Sequence, residues 1–370
     1  MFVALDKEGK LSNILSFTKE ELQQIQSQSF FCPVCKSSLI IKQGIKKRIH
    51  FAHKIEECSQ SAKESTAHLL AKEKLFHFFS SKNIPIKMEY PIIETNQRAD
   101  LFISLGSKKY VIEFQHSIIS EKDIKLRIRN YTNLAIIQVW LIDSKIIKRK
   151  KNIILLSPFQ TEIIRASPQS LLHLYDPNTH ILTIIHSILF IHATKIIAKE
   201  EKFLLSKSSI ACFFSFRPKK DYLLKAFFQQ IEVEKKNILL FYQSHQDFVF
   251  SFYQSHLVLA SLWWIGLPTK YNDTFFTSCV IWQGYLYLFI KNKKYFTIDQ
   301  CFNYLVDLIH KGEIRISIEE DEIIKMAIQQ YLDLLVKLII IMYEGDYYNY
   351  IDSFFERDEE FLVNLLLQTL

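Results

Sequence analysis

The stretch that most constrains this chain is residues 98–117, Arg-Ala-Asp-Leu-Phe-Ile-Ser-Leu-Gly-Ser-Lys-Lys-Tyr-Val-Ile-Glu-Phe-Gln-His-Ser. Two runs of strand formers, Leu101 to Leu105 and Tyr110 to Phe114, flank the turn residues Gly106 and Ser107, which predicts a β-hairpin. Polar residues interrupt the runs at informative places. Asp100 opens the first strand, Glu113 lies inside the second, and Gln115 follows two residues on. Side chains alternate across a strand, so Glu113 and Gln115 share one face while Ile112 and Phe114 share the other. A hairpin brings Asp100 back beside that pair. Two acidic oxygen donors on adjacent strands make a site for a hard divalent cation, Mg²⁺ or Mn²⁺. The plainer reading is a buried glutamate satisfied by hydrogen bonds at a strand end.

The spacing Asp-x12-Glu-x-Gln resembles the catalytic core of the PD-(D/E)xK nuclease superfamily, whose third position is usually Lys. Gln115 can orient a water or a phosphate oxygen. It cannot act as a cation or as a base.

At 370 residues and 49% hydrophobic content, the chain has room for two or three domains with real cores, which excludes a disordered tail. Its net charge of +7 suits a nucleic-acid partner without requiring one. The start, Met1-Phe2-Val3-Ala4-Leu5-Asp6, turns polar at once, so no secretory signal is expected there. The longest apolar run, Ile181 to Ala198, contains His186, His192 and Lys195. It is expected to be a soluble hairpin or core segment rather than a membrane span. Six cysteines in a chain of this size form no disulfide framework and fit a reducing cytoplasm.

Taken in order, Phe2 to Leu15 reads as a short hairpin around Asp6 to Lys10. Thr18 and Glu21 have the form of a capping box starting a helix to about Gln26. Cys32-Pro33-Val34-Cys35 is then half of a tetrahedral Zn²⁺ site, and His50, His53 and Cys58 can supply the other half. Five candidates compete for four positions. His50 or Cys58 is the outsider, and the spacing does not choose between them. Such a site is closed and structural. Lys42, Lys46, Lys47 and Arg48 between its halves offer phosphate contacts or simply a solvated strand face.

Residues 61–80 read as an amphipathic helix burying Ala67, Leu70, Ala71, Leu75, Phe78 and Phe79. Glu64, His68 and Lys72 step by four along another stripe, either joining the metal site or forming a solvent-facing ladder. Glu89, on a strand from Ile86 to Tyr90, can approach the same metal. A helix from Ile118 to Tyr131 with Ser120 as N-cap precedes a buried strand from Ala135 to Ile142. The basic run Lys145 to Lys151 is a phosphate clamp or a solvated loop. Further on, Asp176 to Thr179 marks a hairpin turn. Helices are expected over Tyr222–Glu232, Phe248–Ile265, Phe275–Lys291, Ile298–Lys311 and Ile318–Tyr343, the last capped by Ser317 and Glu320. Trp263, Trp264 and Trp282 are read as core, with base stacking as the alternative. The acidic stretch Glu344 to Glu360 suits a partner protein better than DNA.

Several unlike motifs now stand in one order: Phe-Cys-Pro-Val-Cys, His-Phe-Ala-His, Glu64-Ser-x-x-His68, Arg98-Ala-Asp100, Ile112-Glu-Phe-Gln-x-Ser117, an Arg-x-x-x-Tyr helix end and an aliphatic strand with Trp140. Together they resemble the competence protein CoiA family, over nearly all of residues 1–145. The resemblance implies a cytoplasmic protein that promotes recombination of incoming single-stranded DNA in natural transformation. It implies an α+β or α/β chain with a zinc-ribbon-like module over 1–60, a restriction-endonuclease-like α/β domain over 61–165 and a mainly helical domain over 166–370. Asp100, Glu113 and Gln115 would be the nuclease core, with Glu64 and His68 as helix-borne companions. Cys32, Cys35, His50 and His53 would be the zinc-ribbon residues. The implied activity is Mg²⁺-dependent cleavage of single-stranded or branched DNA, alongside a recombinase or other competence proteins. The alternative is an inactive nuclease fold that binds DNA or loads a recombinase.

Overall fold

The computed structural model describes residues 1–33, 35–43, 49–54, 65–219, 221–351 and 359–370. It divides into two compact units, and the chain enters each more than once. The first comprises Met1–Ile146, Glu162–Ile185 and Glu200–Arg217; the second comprises Ile147–Thr161, His186–Lys199 and Pro218–Leu370.

The chain begins with β1 (Val3–Leu5), β2 (Leu11–Asn13), the short helix α1 (Lys19–Gln24), β3 (Phe30–Phe31), β4 (Ser38–Lys42) and β5 (His50–His53). These strands form one sheet in the order β2-β1-β3-β4-β5. The Thr18 hydroxyl accepts the Glu21 N–H while the Glu21 carboxylate accepts the Thr18 N–H, so the capping box starts α1 as its spacing predicts.

Helix α2 (Thr66–Ser80) leads into β6 (Ile86–Ile92), β7 (Gln97–Leu105), β8 (Lys108–Gln115), α3 (Glu121–Asn133) and β9 (Ile137–Asp143). Then come β10 (Lys148–Lys150), β11 (Ile153–Leu155), α4 (Pro158–Ala166), β12 (Leu172–Asp176), β13 (Ile181–His192), β14 (Lys195–Leu204) and α5 (Ala211–Phe214). The nine strands form a sheet in the order β10-β11-β14-β13-β12-β9-β8-β7-β6. β8, β9 and β12 run parallel, and β6, β7 and β8 pair antiparallel.

Period-two alternation sorts the central strands. Leu101, Ile103, Ile112, Phe114, Val139 and Leu141 enter one core with Leu75, Phe78 and Phe79 of α2. The residues between them point to the opposite face, where α3 buries Ile124 and Tyr131. Ser120 caps α3 as expected, its hydroxyl accepting the Asp123 N–H. The buried stripe of α2 contains Leu69 and Lys72 and leaves Leu70 half-buried, a rotation from the expected stripe. The apolar run from Ile181 is the β13–β14 hairpin, and among the described residues no helix is long and apolar enough to cross a membrane.

The second unit is mainly helical from residue 224. It contains α6 (Leu224–Leu240), α7 (Gln246–Gln254), α8 (Cys279–Lys293), α9 (Ile298–His310), α10 (Asp321–Lys337) and α11 (Glu359–Thr369). A small sheet of β15 (Tyr295–Phe296), β16 (Ile341–Glu344) and β17 (Tyr347–Tyr350) completes it. Three expected helices are shorter or shifted, and the one from Phe275 starts at Cys279. The one from Phe248 ends at Gln254, because His256 takes a left-handed φ of 54°. The one from Ile318 starts at Asp321 and ends at Lys337, where Ile339 at φ 57° turns the β-branched run into β16. Its expected Ser317 cap fails because the Ser317 N–H bonds Thr274 O at 2.7 Å, and Glu320 holds the cap position without a side-chain bond. Trp282 is fully buried, stacked on Phe275 at 4.8 Å, so the core reading of that residue holds. The acidic residues 352–358 lie outside the described residues.

Candidate active site

The hairpin register, Leu101 opposite Ile112 and Phe102 opposite Val111, places Asp100 across from Glu113 one rung further on. The two carboxylates stand at the same end of the hairpin and draw partners from different helices, Asp100 from α2 and Glu113 from α3. Both are buried. Each is held by its own partners. Asp100 Oδ2 accepts from His68 Nε2 at 3.0 Å and from the Phe114 N–H at 2.9 Å. Its Oδ1 has no hydrogen bond among the described residues. Glu113 Oε1 accepts from the Tyr131 hydroxyl, and Oε2 lies 2.8 Å from an Arg127 Nη. Arg127 in turn lies over the Trp140 ring at 4.8 Å.

Those partners set the charges. Burial raises the Asp100 carboxyl, but His68, Lys72 and the Phe114 N–H outweigh it and hold the group well below the usual carboxylate range. Burial pushes Glu113 up, Asp100 adds to that push, and Arg127 and Tyr131 oppose it. Asp100 thus stays an anion, and Glu113 feels it. Such a pair attracts a cation, and the Asp100 Oδ1 offers it an uncommitted ligand atom.

Of the residues singled out in the sequence, Asp100, Glu113 and His68 come together. Gln115 turns away: its Nε2 donates to Ser117 O at 2.7 Å, tying down the turn after β8. Glu64 lies outside the described residues. Glu89 does not reach the pair. It is fully buried, takes Lys72 Nζ on one oxygen and the Phe2 and Val3 N–H groups on the other at 2.8 and 2.9 Å. Lys72 is correspondingly buried rather than part of a solvent-facing ladder. Arg127 and Tyr131 were not foreseen as site residues. Their signal was the Arg-x-x-x-Tyr spacing, which puts both on one helix face above Glu113.

The N-terminal cluster is separate. Cys32, Cys35 and His53 place their ligand atoms within 4.8 Å of one another, with Cys35 Sγ 3.3 Å from His53 Nε2. Tetrahedral zinc separates sulfur and nitrogen ligands by about 3.5 Å, so these residues fit the ion, and two thiolates with an imidazole are its preferred donors. His50 and His53 stand three apart in one strand, so they point to opposite faces, and His50 pairs across from Lys42. Cys58 lies outside the described residues, as do Lys46, Lys47 and Arg48.

Comparison with known proteins finds three consecutive matches. The competence protein CoiA N-terminal domain matches residues 14–61, its nuclease-like domain 64–218 and its C-terminal domain 222–350. The competence protein CoiA of Bacillus subtilis (strain 168) is 24% identical over 342 residues, covering 86% of this chain and 88% of that one.

Proposed function

The chain belongs to the competence protein CoiA family, and from that premise we propose that it cleaves DNA phosphodiesters at Asp100 and Glu113 with a divalent metal. The supporting observation is the pairing itself: two buried carboxylates on neighbouring strands, Asp100 held anionic and raising the cost of a charge on Glu113. Asp100 and Glu113 would hold Mg²⁺ or Mn²⁺. An ion bound there supplies Lewis-acid stabilisation of the charge that develops on the phosphate. His68 orients Asp100 and keeps it charged. Arg127 and Tyr131 fix the Glu113 carboxylate, and Arg127 brings a permanent positive charge to the site. The substrate in this reading is incoming single-stranded or branched DNA in natural transformation, handled in the cytoplasm beside a recombinase.

One observation favours a second reading. Glu113 has a partner on each oxygen, and Gln115 is folded back on Ser117. A site so satisfied can bind DNA without cutting it. A panel of single-stranded, duplex and branched DNA with Mg²⁺, Mn²⁺ or EDTA separates the two. Cleavage that vanishes in Asp100→Ala carries the first reading. Salt-sensitive binding that survives Asp100→Ala, with no cutting of any substrate, carries the second.

For the N-terminal module we propose a structural zinc held by Cys32, Cys35 and His53, with Cys58 as fourth ligand and His50 excluded by its strand face. Elemental analysis of purified protein should give one zinc per chain, lost in Cys35→Ser and in Cys58→Ser but kept in His50→Ala. Zinc retained by Cys58→Ser removes Cys58 from the set.

A further inference from the structure

The end of the sheet that carries the carboxylates carries one more ionisable pair. β8 and β9 run parallel and end together, Gln115 beside Ile142. The next residue along each is His116 and Asp143. Asp143 is fully buried, and its Oδ2 lies 2.7 Å from His116 Nδ1. Its Oδ1 accepts the Lys145 N–H at 2.9 Å. His116 is different: its side chain is 37% exposed, and its Nε2 has no hydrogen bond among the described residues. A carboxylate on Nδ1 fixes that nitrogen as the N–H, leaving Nε2 as the basic nitrogen of a part-exposed ring. The tie from Gln115 Nε2 to Ser117 O spans His116 and holds the turn that presents it.

Position adds to orientation. β7 runs antiparallel to β8, so Asp100, near the start of β7, and Glu113, near the end of β8, stand at the same end of the hairpin as His116. His68 reaches that end from the first turns of α2, its ring 5.9 Å from Phe114. The carboxyl ends of parallel strands are where α/β sheets place ligands. Gln115, the residue at the place usually held by Lys, has no proton to give or take, so the acid–base role at this edge is open.

We propose that His116 is a catalytic residue of the site, the general base for the attacking water, and that Asp143 is its positioning residue. In the step, the water oxygen forms the new bond to phosphorus while one of its protons passes to His116 Nε2. The bond from phosphorus to the departing nucleoside oxygen breaks, and that oxygen takes a proton from solvent. His116 then returns its proton to solvent, so the sum is water added across one phosphodiester. The inference rests on the cleavage reading above.

The test measures single-turnover cleavage, DNA affinity and thermal stability for wild type, Asp100→Ala, His116→Gln, His116→Gly and Asp143→Asn. His116→Gln should slow cleavage about 100-fold or more while DNA affinity holds within about twofold. Added imidazole should restore His116→Gly about tenfold or more, a response that a purely structural histidine does not give. Asp143→Asn should lose about 10- to 100-fold in rate. Cleavage abolished by Asp100→Ala but untouched by His116→Gln overturns the inference and leaves the cleavage reading standing. A His116→Gly loss that imidazole does not restore, and that tracks a fall in melting temperature, also overturns it. Wild-type protein that cuts no substrate removes the cleavage reading and this inference with it.

Discussion

Glu89 on β6 and the pair Asp100 and Glu113 on β7 and β8 are all buried acids within three neighbouring strands, yet they behave as two kinds of residue. Glu89 has its carboxylate committed to Lys72 and to the Phe2 and Val3 N–H groups where β1 begins, and both side chains of the ion pair are sealed. It sits at φ 50° in mid-strand, and the β6–β7 ladder skips it between Met88–Leu101 and Tyr90–Ala99. That left-handed turn sends its side chain off the ladder toward β1. Asp100 and Glu113 keep normal backbone and lean on partners that reach solvent, His68 at 22% and Arg127 at 30% side-chain exposure. Burial of the acid does not separate the structural Glu89 from the pair proposed to be reactive. The accessibility of the partners does.

The sharpest way to break this contrast is Lys72→Met. It should cost about 3–5 kcal/mol, because Glu89 is left buried without its cation. Lys72→Met with Glu89→Gln should recover most of that, since the Gln oxygen still accepts from Phe2 and Val3. Denaturant titration of both proteins measures it, and equal losses would mean the pair is not the unit described. Next comes Arg127→Gln, which leaves Glu113 with Tyr131 alone. The expected cost is about 1.5–3 kcal/mol, with weaker binding of DNA. Asp100→Asn should matter less for stability than for chemistry, and its effect should depend on pH. The folded Asp100 carboxyl lies below its unfolded value, so its contribution is present above about pH 4 and fades as pH falls further. The melting-temperature gap between wild type and Asp100→Asn should therefore close in acid. The smallest effect is expected at His173, a buried group away from both sets. Burial lowers it to about 4, so stability is full above about pH 6.5 and declines as pH drops toward 4. His173→Leu should flatten that decline in thermal scans.

Much of this was legible in residue order. The hairpin, the opposed acids, the caps at Thr18 and Ser120 and the Cys32, Cys35 and His53 cluster all rest on local rules, which is why spacing finds them. Glu89 was not legible, because its role depends on a positive φ at a residue that rarely takes one. Lys72 was misplaced for the same reason: only the fold reveals the buried acid it meets. The Ser317 cap failed because a long-range bond to Thr274 claimed the backbone first. His116 could have been noticed beside Gln115, but nothing local announces an Asp 27 residues further on as its partner.

The interleaving of the two compact units has a practical side. Residues 147–161 and 186–199 pack with the segment beyond 218, and the Ala193 N–H bonds Phe275 O at 2.7 Å while the Asn272 amide donates to Phe190 O at 2.9 Å. A single cut at 217 therefore cannot yield two self-sufficient halves. The severed C-terminal piece would expose apolar seams and aggregate, and swapping that portion between relatives would require exchanging three stretches at once.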